Sequence, residues 1–223
     1  MRKAVIFFFF GLSGTILLTG LGIWQLQRLN WKENLLQEIE SKISGKPQPL
    51  PQQLERAKNR YLPVVVNGSF LPGELHVLVS IKRVGAGYRI IAPFQTSDGR
   101  RIMIDRGFVP VSEKNAERQM NTTKITGNLH WPNEIDRFIP DTDYASNIWF
   151  ARDVDSMASE LETLPVLLIA RSLTDKGVTP VPVDMSGIPN NHFEYAMTWF
   201  SLAAIWGIMS VFAFRHRSIA IKG

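Results

Sequence analysis

The sequence predicts a membrane α+β protein, in which two transmembrane helices form a hairpin bracketing an outward-facing α+β domain with a mainly antiparallel, barrel-like sheet. Three observations carry this expectation. Ala4–Trp24 and Tyr195–Phe214 carry no charged residue, and at about 1.5 Å per residue each can cross roughly 30 Å of hydrocarbon. The formal charge of +5 lies in the tails, at Arg2, Lys3, Arg215, Arg217 and Lys222. Between the runs, β-branched and aromatic segments alternate with Pro and Gly signals.

The first run is too long for a signal-peptide core and ends in Gly22-Ile23-Trp24-Gln25 without an A-x-A cleavage site, so it reads as an uncleaved anchor. Beyond it, Trp31, Leu35, Leu36, Ile39 and Ile43 have helical spacing. The span therefore continues or turns into an amphipathic helix, which Gly45 and the Pro47, Pro49, Pro51 cluster end. A short helical stretch covers Gln52–Arg60. Strands are expected over Leu62–Phe70, Glu74–Ile81, Tyr88–Gln95 and Arg101–Val109. Ser97-Asp98-Gly99-Arg100 is a tight turn pairing the last two antiparallel, since Asp-Gly tolerates the positive φ a hairpin turn needs. Further strands are expected over Ile125–Trp131, Ile148–Ala151 and Val166–Arg171, with Asp153 capping a helix through Leu161. No repeat appears. About 165 residues between the spans suffice for a single core.

Short basic tails stay on the cytoplasmic side and long loops translocate largely regardless of charge. The resulting division is 1–3, cytoplasmic tail; 4–26, first span; 27–194, outer domain; 195–214, second span; 215–223, cytoplasmic tail. A multi-pass protein of a bacterial cytoplasmic membrane with a periplasmic domain fits best. Trp24, Tyr195 and Trp199 would form the outer aromatic belt. The outer domain is near neutral, which gives no basis for nucleic-acid binding. The chain has no cysteine, which removes disulfides, thiolate nucleophiles, CxxC pairs and CxxCH haem attachment. Histidine remains for metal or haem, with weaker support from Met or Tyr.

Asn190-Asn191-His192 places an imidazole at the lip of the second span. On a helical wheel His192, Ala196, Trp199, Ala203, Trp206 and Ser210 share one stripe, and Gly11, Gly14, Thr15, Leu18, Gly22 and Gln25 form a counterpart with little side-chain volume. One reading is tight helix packing. The other is a flat cleft holding a porphyrin against Trp199 with His192 as axial ligand. An interfacial histidine also serves as a plain hydrogen-bonding group. In Asp105-Arg106-Gly107-Phe108, Gly allows an unusual backbone, and Arg106 pairs with a carboxylate or propionate or forms a surface salt bridge. His76 and His130 lack partners at ligand spacing and read as structural; Tyr61 and Trp149 read as core. Gly85-Ala86-Gly87 reads as a turn before a strand. Without a Ser-His-Asp arrangement, HExxH, Walker loop or GxGxxG, the sequence offers no case for an enzyme.

Four stretches together resemble the Surfeit locus protein family. They are Gly22-Ile23-Trp24-Gln25-Leu26-Gln27-Arg28-Leu29-Asn30-Trp31-Lys32; Gly87-Tyr88 with Ala92-Pro93-Phe94; Asp105-Arg106-Gly107-Phe108-Val109-Pro110; and His192-Phe193-Glu194-Tyr195-Ala196-Met197-Thr198-Trp199-Phe200. The sequence departs from the family pattern at Ala92 for Thr, Asp105 for Asn, Phe108 for Trp and Phe193 for Leu. The resemblance implies a non-enzymatic assembly factor for cytochrome c oxidase, acting with its subunit one and the haem a synthesis machinery at the stage of haem a insertion. It implies a haem-ligand role for His192 only; Trp199 and Tyr195 are cofactor-binding candidates from their position beside it. Trp24, Gln25, Arg28 and Arg106 become candidates for partner or structural roles. The competing class is a membrane-anchored periplasmic scaffold that grips a partner membrane protein without haem. A copper carrier is disfavoured, because the chain has no Cys, no Met-rich loop and no paired His.

Overall fold

The first apolar run is part of one continuous helix, α1, Arg2–Ser44, about 65 Å long. It runs on past residue 26, the first of the two courses expected. Gly45, whose N–H bonds to the Lys42 carbonyl at 3.3 Å, ends it as expected. In this computed structural model, which describes residues 2–185 and 188–220, the chain divides into two units, Met1–Glu38 with Met185–Gly223, and Ile39–Asp184. Arg217 lies among the residues whose side chains are not described, and Lys222 outside the described residues.

The first unit pairs α1 with α4, His192–Ala220. Both helices are long and apolar enough to cross a membrane. The two small-residue stripes expected from the sequence meet along their seam. A Cβ on Gly14 would lie 2.3 Å from Trp206 Nε1, one on Gly22 2.6 Å from the Phe200 ring, and one on Gly11 2.7 Å from Ser210. Real Cβ atoms do not approach so closely, so glycine is required at all three positions. The Trp206 indole N–H donates to the Gly11 carbonyl at 3.1 Å, and Ala196 and Ala203 are buried. Such van der Waals contact and interhelical hydrogen bonding drive helix pairing where the surroundings are as apolar as the side chains.

The second unit is an eight-stranded sheet with short helices α2 (Arg56–Asn59) and α3 (Val154–Glu160). Its strands are β1 (Gln48–Pro49), β2 (Pro63–Phe70), β3 (Leu75–Ile81), β4 (Gly85–Thr96), β5 (Arg101–Pro110), β6 (Thr122–His130), β7 (Ile148–Trp149) and β8 (Leu167–Ala170). The order is β1-β2-β6-β8-β5-β4-β3-β7, and β2 also pairs with β4. The pairings β2–β6–β8–β5–β4–β2 thus return on themselves. Gly68 makes the last of them possible, since a Cβ there would sit 2.0 Å from the Gln95 carbonyl oxygen. Most pairings are antiparallel; β1–β2, β3–β7 and β5–β8 are parallel.

Local expectations met different fates. Ser97–Arg100 joins antiparallel β4 and β5 with Gly99 at φ +89, and Asp153 caps α3 by accepting from the Asp155 N–H at 3.2 Å. Gly85-Ala86-Gly87 is not a turn: it already pairs with Ser80, Val79 and Ile81 inside β4. The reversal lies one step earlier, where Arg83 takes φ 70. The helix expected over Gln52–Arg60 shrinks to a single turn after the proline cluster.

Asp105, Arg106 and Gly107 form a β-bulge. Ile91 faces Asp105 and Ile90 faces Gly107, leaving Arg106 opposite nothing; Gly107 takes φ +125. An inserted residue bends the strand and re-aims its neighbours, and here both charged side chains are directed inward. Asp105, fully buried, accepts from Arg89 Nε at 2.7 Å and the Gly107 N–H at 3.2 Å, with the Arg152 guanidinium at 3.6 Å. Arg89 also donates to the Val181 carbonyl at 2.8 Å. Arg152 in turn grips Glu134, whose Oε2 accepts the Arg152 backbone N–H at 2.9 Å. Burial favours the neutral Glu134 carboxyl, but the Arg152 bonds prevail and hold it below the usual carboxylate range. One carboxylate thus ties together β4, β5, the segment after β7 and the chain near residue 181.

Two expectations follow. Removing one partner of a buried ion pair leaves uncompensated charge, so Asp105→Ala should destabilise the sheet unit by about 3–5 kcal/mol, read as a lower urea midpoint. His130 stacks on Tyr61 at 5.2 Å, and burial, then Arg152 and Arg60, push it down to about 4 from 6.5. The unfolded chain therefore binds the extra proton first, and His130 subtracts stability progressively as pH falls from about 6.5 to about 4. His130→Gln should flatten the urea-midpoint profile over that window; an unchanged slope would contradict the assignment.

Candidate functional site

The seam between α1 and α4 ends at His192. Pro189 and the two asparagines after it cannot extend the helix upward, and the Asn191 carbonyl accepts the Tyr195 N–H at 3.1 Å, so His192 opens the first turn. Its Nδ1 lies 2.8 Å from Gln25 Oε1. An amide oxygen only accepts, so this contact places the Nδ1–H toward Gln25, which in the neutral ring leaves the lone pair on Nε2. Metal-ligating histidines use the same device, donating the second ring N–H to an oxygen that fixes tautomer and orientation. Seven residues on, on the same face of α1, Lys32 Nζ donates to the Pro189 carbonyl. Gln25 and Lys32 thus hold both ends of the segment Pro189–His192. Asn190 Oδ1, between them, is buried without a hydrogen-bond partner, which is uncommon among native polar atoms.

The other candidates distribute as follows. Tyr195 and Trp199 follow His192 at spacings of three and seven, a single stripe of α4; Tyr195 is 56% exposed and Trp199 half-buried. Trp24 is exposed. Arg28 lies over the Trp31 ring at 4.0 Å from its centroid, a cation–π contact. Met197 is exposed. Among the described residues, no group of three or more His, Asp or Glu side chains is placed to hold a metal ion.

Arg106 belongs to the sheet unit and has a different environment. It is 2% exposed, with its guanidinium 4.1 Å over the Phe70 ring and 3.2 Å from Asp175 Oδ2 and the Gln119 carbonyl. The surface salt bridge considered from the sequence is therefore a buried pair, and the bulge is the reason. Burial lowers the guanidinium pKa against the pull of Asp175 and Glu74. His76 is likewise structural, with Nε2 2.9 Å from Glu74 Oε1.

Sequence reasoning singled out Gln25 and His192 separately and did not join them, because they are 167 positions apart. Lys32 stood out only as the last residue of the family-like stretch Gly22–Lys32. Its spacing of seven from Gln25 was the available signal, since both fall on the face that continues the glycine stripe.

Residues 12–204 match the family model of the SURF1 family. A SURF1-like protein from Monosiga brevicollis is 33% identical over 222 residues, covering 90% of this chain and 85% of that protein. Surfeit locus protein 1 of Homo sapiens is 30% identical over 209 residues, covering 83% and 70%. A SURF1-like protein from Rickettsia prowazekii (strain Madrid E) is 28% identical over 220 residues, covering 93% and 88%. The matched stretch takes in Gly14 and Gly22 of the seam, the whole sheet and both members of the Gln25–His192 pair, and the chain belongs to the SURF1 family.

Proposed function

We propose that this protein is a membrane-anchored assembly factor for haem-copper cytochrome c oxidase, assisting haem a insertion into subunit one or steadying that subunit while it is built. It works by binding, without catalysing a reaction. Both helices span a bacterial cytoplasmic membrane, the basic tails stay in the cytoplasm, and the sheet unit faces the periplasm with subunit one and the haem a synthesis machinery as partners.

The observation that carries this reading is the 2.8 Å contact of His192 Nδ1 with Gln25 Oε1. It turns Nε2 away from Gln25 at the end of an apolar helix pair, and in the neutral ring that nitrogen would carry the lone pair with which imidazole ligates haem iron. The residues present would suit haem: His192 would hold the iron, Gln25 would orient its ring, and Tyr195 and Trp199 would offer aromatic surface along the same stripe. The group bound there supplies no reaction and is cargo. A single axial ligand from the protein suits release to an acceptor better than a closed pair.

A second reading, a scaffold that holds its partner without haem, draws on the connection between β6 and β7. That irregular segment exposes Ile135, Phe138 and Tyr144, with Phe138 76% exposed, and long connections of this kind commonly carry function.

The two readings separate experimentally. When purified in detergent from cells that make haem a, the chain should retain haem a; His192→Ala should lose it, and Gln25→Leu should weaken retention by about 10–100-fold, as loss of an outer-sphere partner does. Full retention by His192→Ala would remove His192 as ligand. Under the scaffold reading, Phe138→Ser should instead reduce co-purification of subunit one while leaving any bound haem unchanged.

A further inference from the structure

The end of the helix pair remote from His192 holds a groove of about 430 Å³, within the ~300–1,000 Å³ typical of ligand sites. Phe8, Leu12 and Thr15 of α1 and Gly207, Val211 and Arg215 of α4 are among its walls. Its lining is almost wholly apolar, and Arg215 is its one charged member.

Gly207 distinguishes this groove from the rest of the seam. Gly11, Gly14 and Gly22 are glycine because a Cβ would collide across the seam. At Gly207 a Cβ would meet nothing nearer than Thr15 at 3.7 Å, an ordinary contact. Close packing therefore does not account for this glycine, a residue that a helix interior disfavours relative to alanine. What its missing side chain provides is room in the groove. In sequence the groove's single cation is followed by Arg217 and Lys222, and the other terminus carries Arg2 and Lys3, a composition that attracts anionic headgroups.

We propose that this groove binds one anionic phospholipid, with an acyl chain along Leu12, Gly207 and Val211 and the phosphate on Arg215. The site rests on the reading that α1 and α4 span a membrane, since acyl chains reach it only there. The occupant is a lipid rather than a second copy of the chain because the cavity is apolar along its length and cationic at its mouth, whereas α1 and α4 present no anionic group to Arg215 in their apolar runs.

The test uses the full chain reconstituted in bilayer discs and then analysed by native mass spectrometry, with phosphatidylglycerol and phosphatidylcholine of identical chains as probes. One phosphatidylglycerol per chain should survive detergent washing, preferred at least fivefold over phosphatidylcholine. Gly207→Leu, which fills the groove, should cut retention at least tenfold. Arg215→Gln, an exposed change that leaves the fold alone, should reduce the preference to within twofold. Glycerol phosphate should not compete. Retention unchanged in Gly207→Leu, an undiminished preference in Arg215→Gln, competition by glycerol phosphate, or a lipid-free dimer would each overturn the proposal. Alkaline carbonate washing of membranes separates the two readings: an inserted chain without bound lipid refutes the groove alone, while a chain released by the wash refutes membrane spanning as well.

Discussion

The close approach of α1 and α4 is the constraint on which the candidate site depends. Two apolar helices in apolar surroundings gain nothing from burying more apolar surface against each other, so their register has to come from shape and from the few polar groups available. Gly14 supplies the shape by leaving room for Trp206, and the indole N–H supplies the polar contact by reaching the Gly11 carbonyl. Gly22 beneath Phe200 repeats the fit two turns further along. Once these contacts fix how far one helix slides along the other, Gln25 arrives opposite His192. The placement of the imidazole against Gln25 is then set by packing that extends from Gly22, one turn away, to Gly14, about 16 Å away.

The sheet unit is organised differently. Its strands pair in a ring held by a dry interior of Ile91, Phe94, Ile102, Ile104 and Leu129, and its charged residues are concentrated around Asp105. A carboxylate with two guanidiniums in an apolar surround is costly to assemble and more costly to break. It therefore contributes less as net stability than as a specification of which strands and loops meet. The bulge at Arg106 lets consecutive charged residues serve separate networks, Asp105 toward Arg89 and Arg152, Arg106 toward Asp175 and Phe70. The helix pair thus places His192 at its end, while the sheet keeps Asp105 and Arg106 paired inside.

Local rules made much of this legible in the sequence. Charge-free runs marked the two apolar helices, Asp-Gly marked the β4–β5 reversal, alternating β-branched residues marked the strands, and Asp153 marked the start of α3. The two stripes of small and bulky residues correctly named the faces that meet. What the sequence did not reveal was non-local. A stripe identifies a face but not its sliding register, so Gln25 and His192 could not be joined. The parallel pairing of β5 with β8 depends on a long crossover through β6 and α3, which no local pattern encodes. Asp105-Arg106 looked like a surface pair because adjacent charges usually are; the bulge that buries both becomes visible only when the strand opposite is one residue short.

The central claim, that helix packing sets the histidine site, is most directly tested by the haem content of Gly14→Leu. The substitution lies about 16 Å along α1 from Gln25 and touches neither site residue, but it places a side chain where Trp206 now sits. The expected result is loss of haem a comparable to that of His192→Ala, with the urea transition of the sheet unit unchanged. Wild-type haem retention in Gly14→Leu would show that His192 is positioned without the helix register, and would contradict the claim.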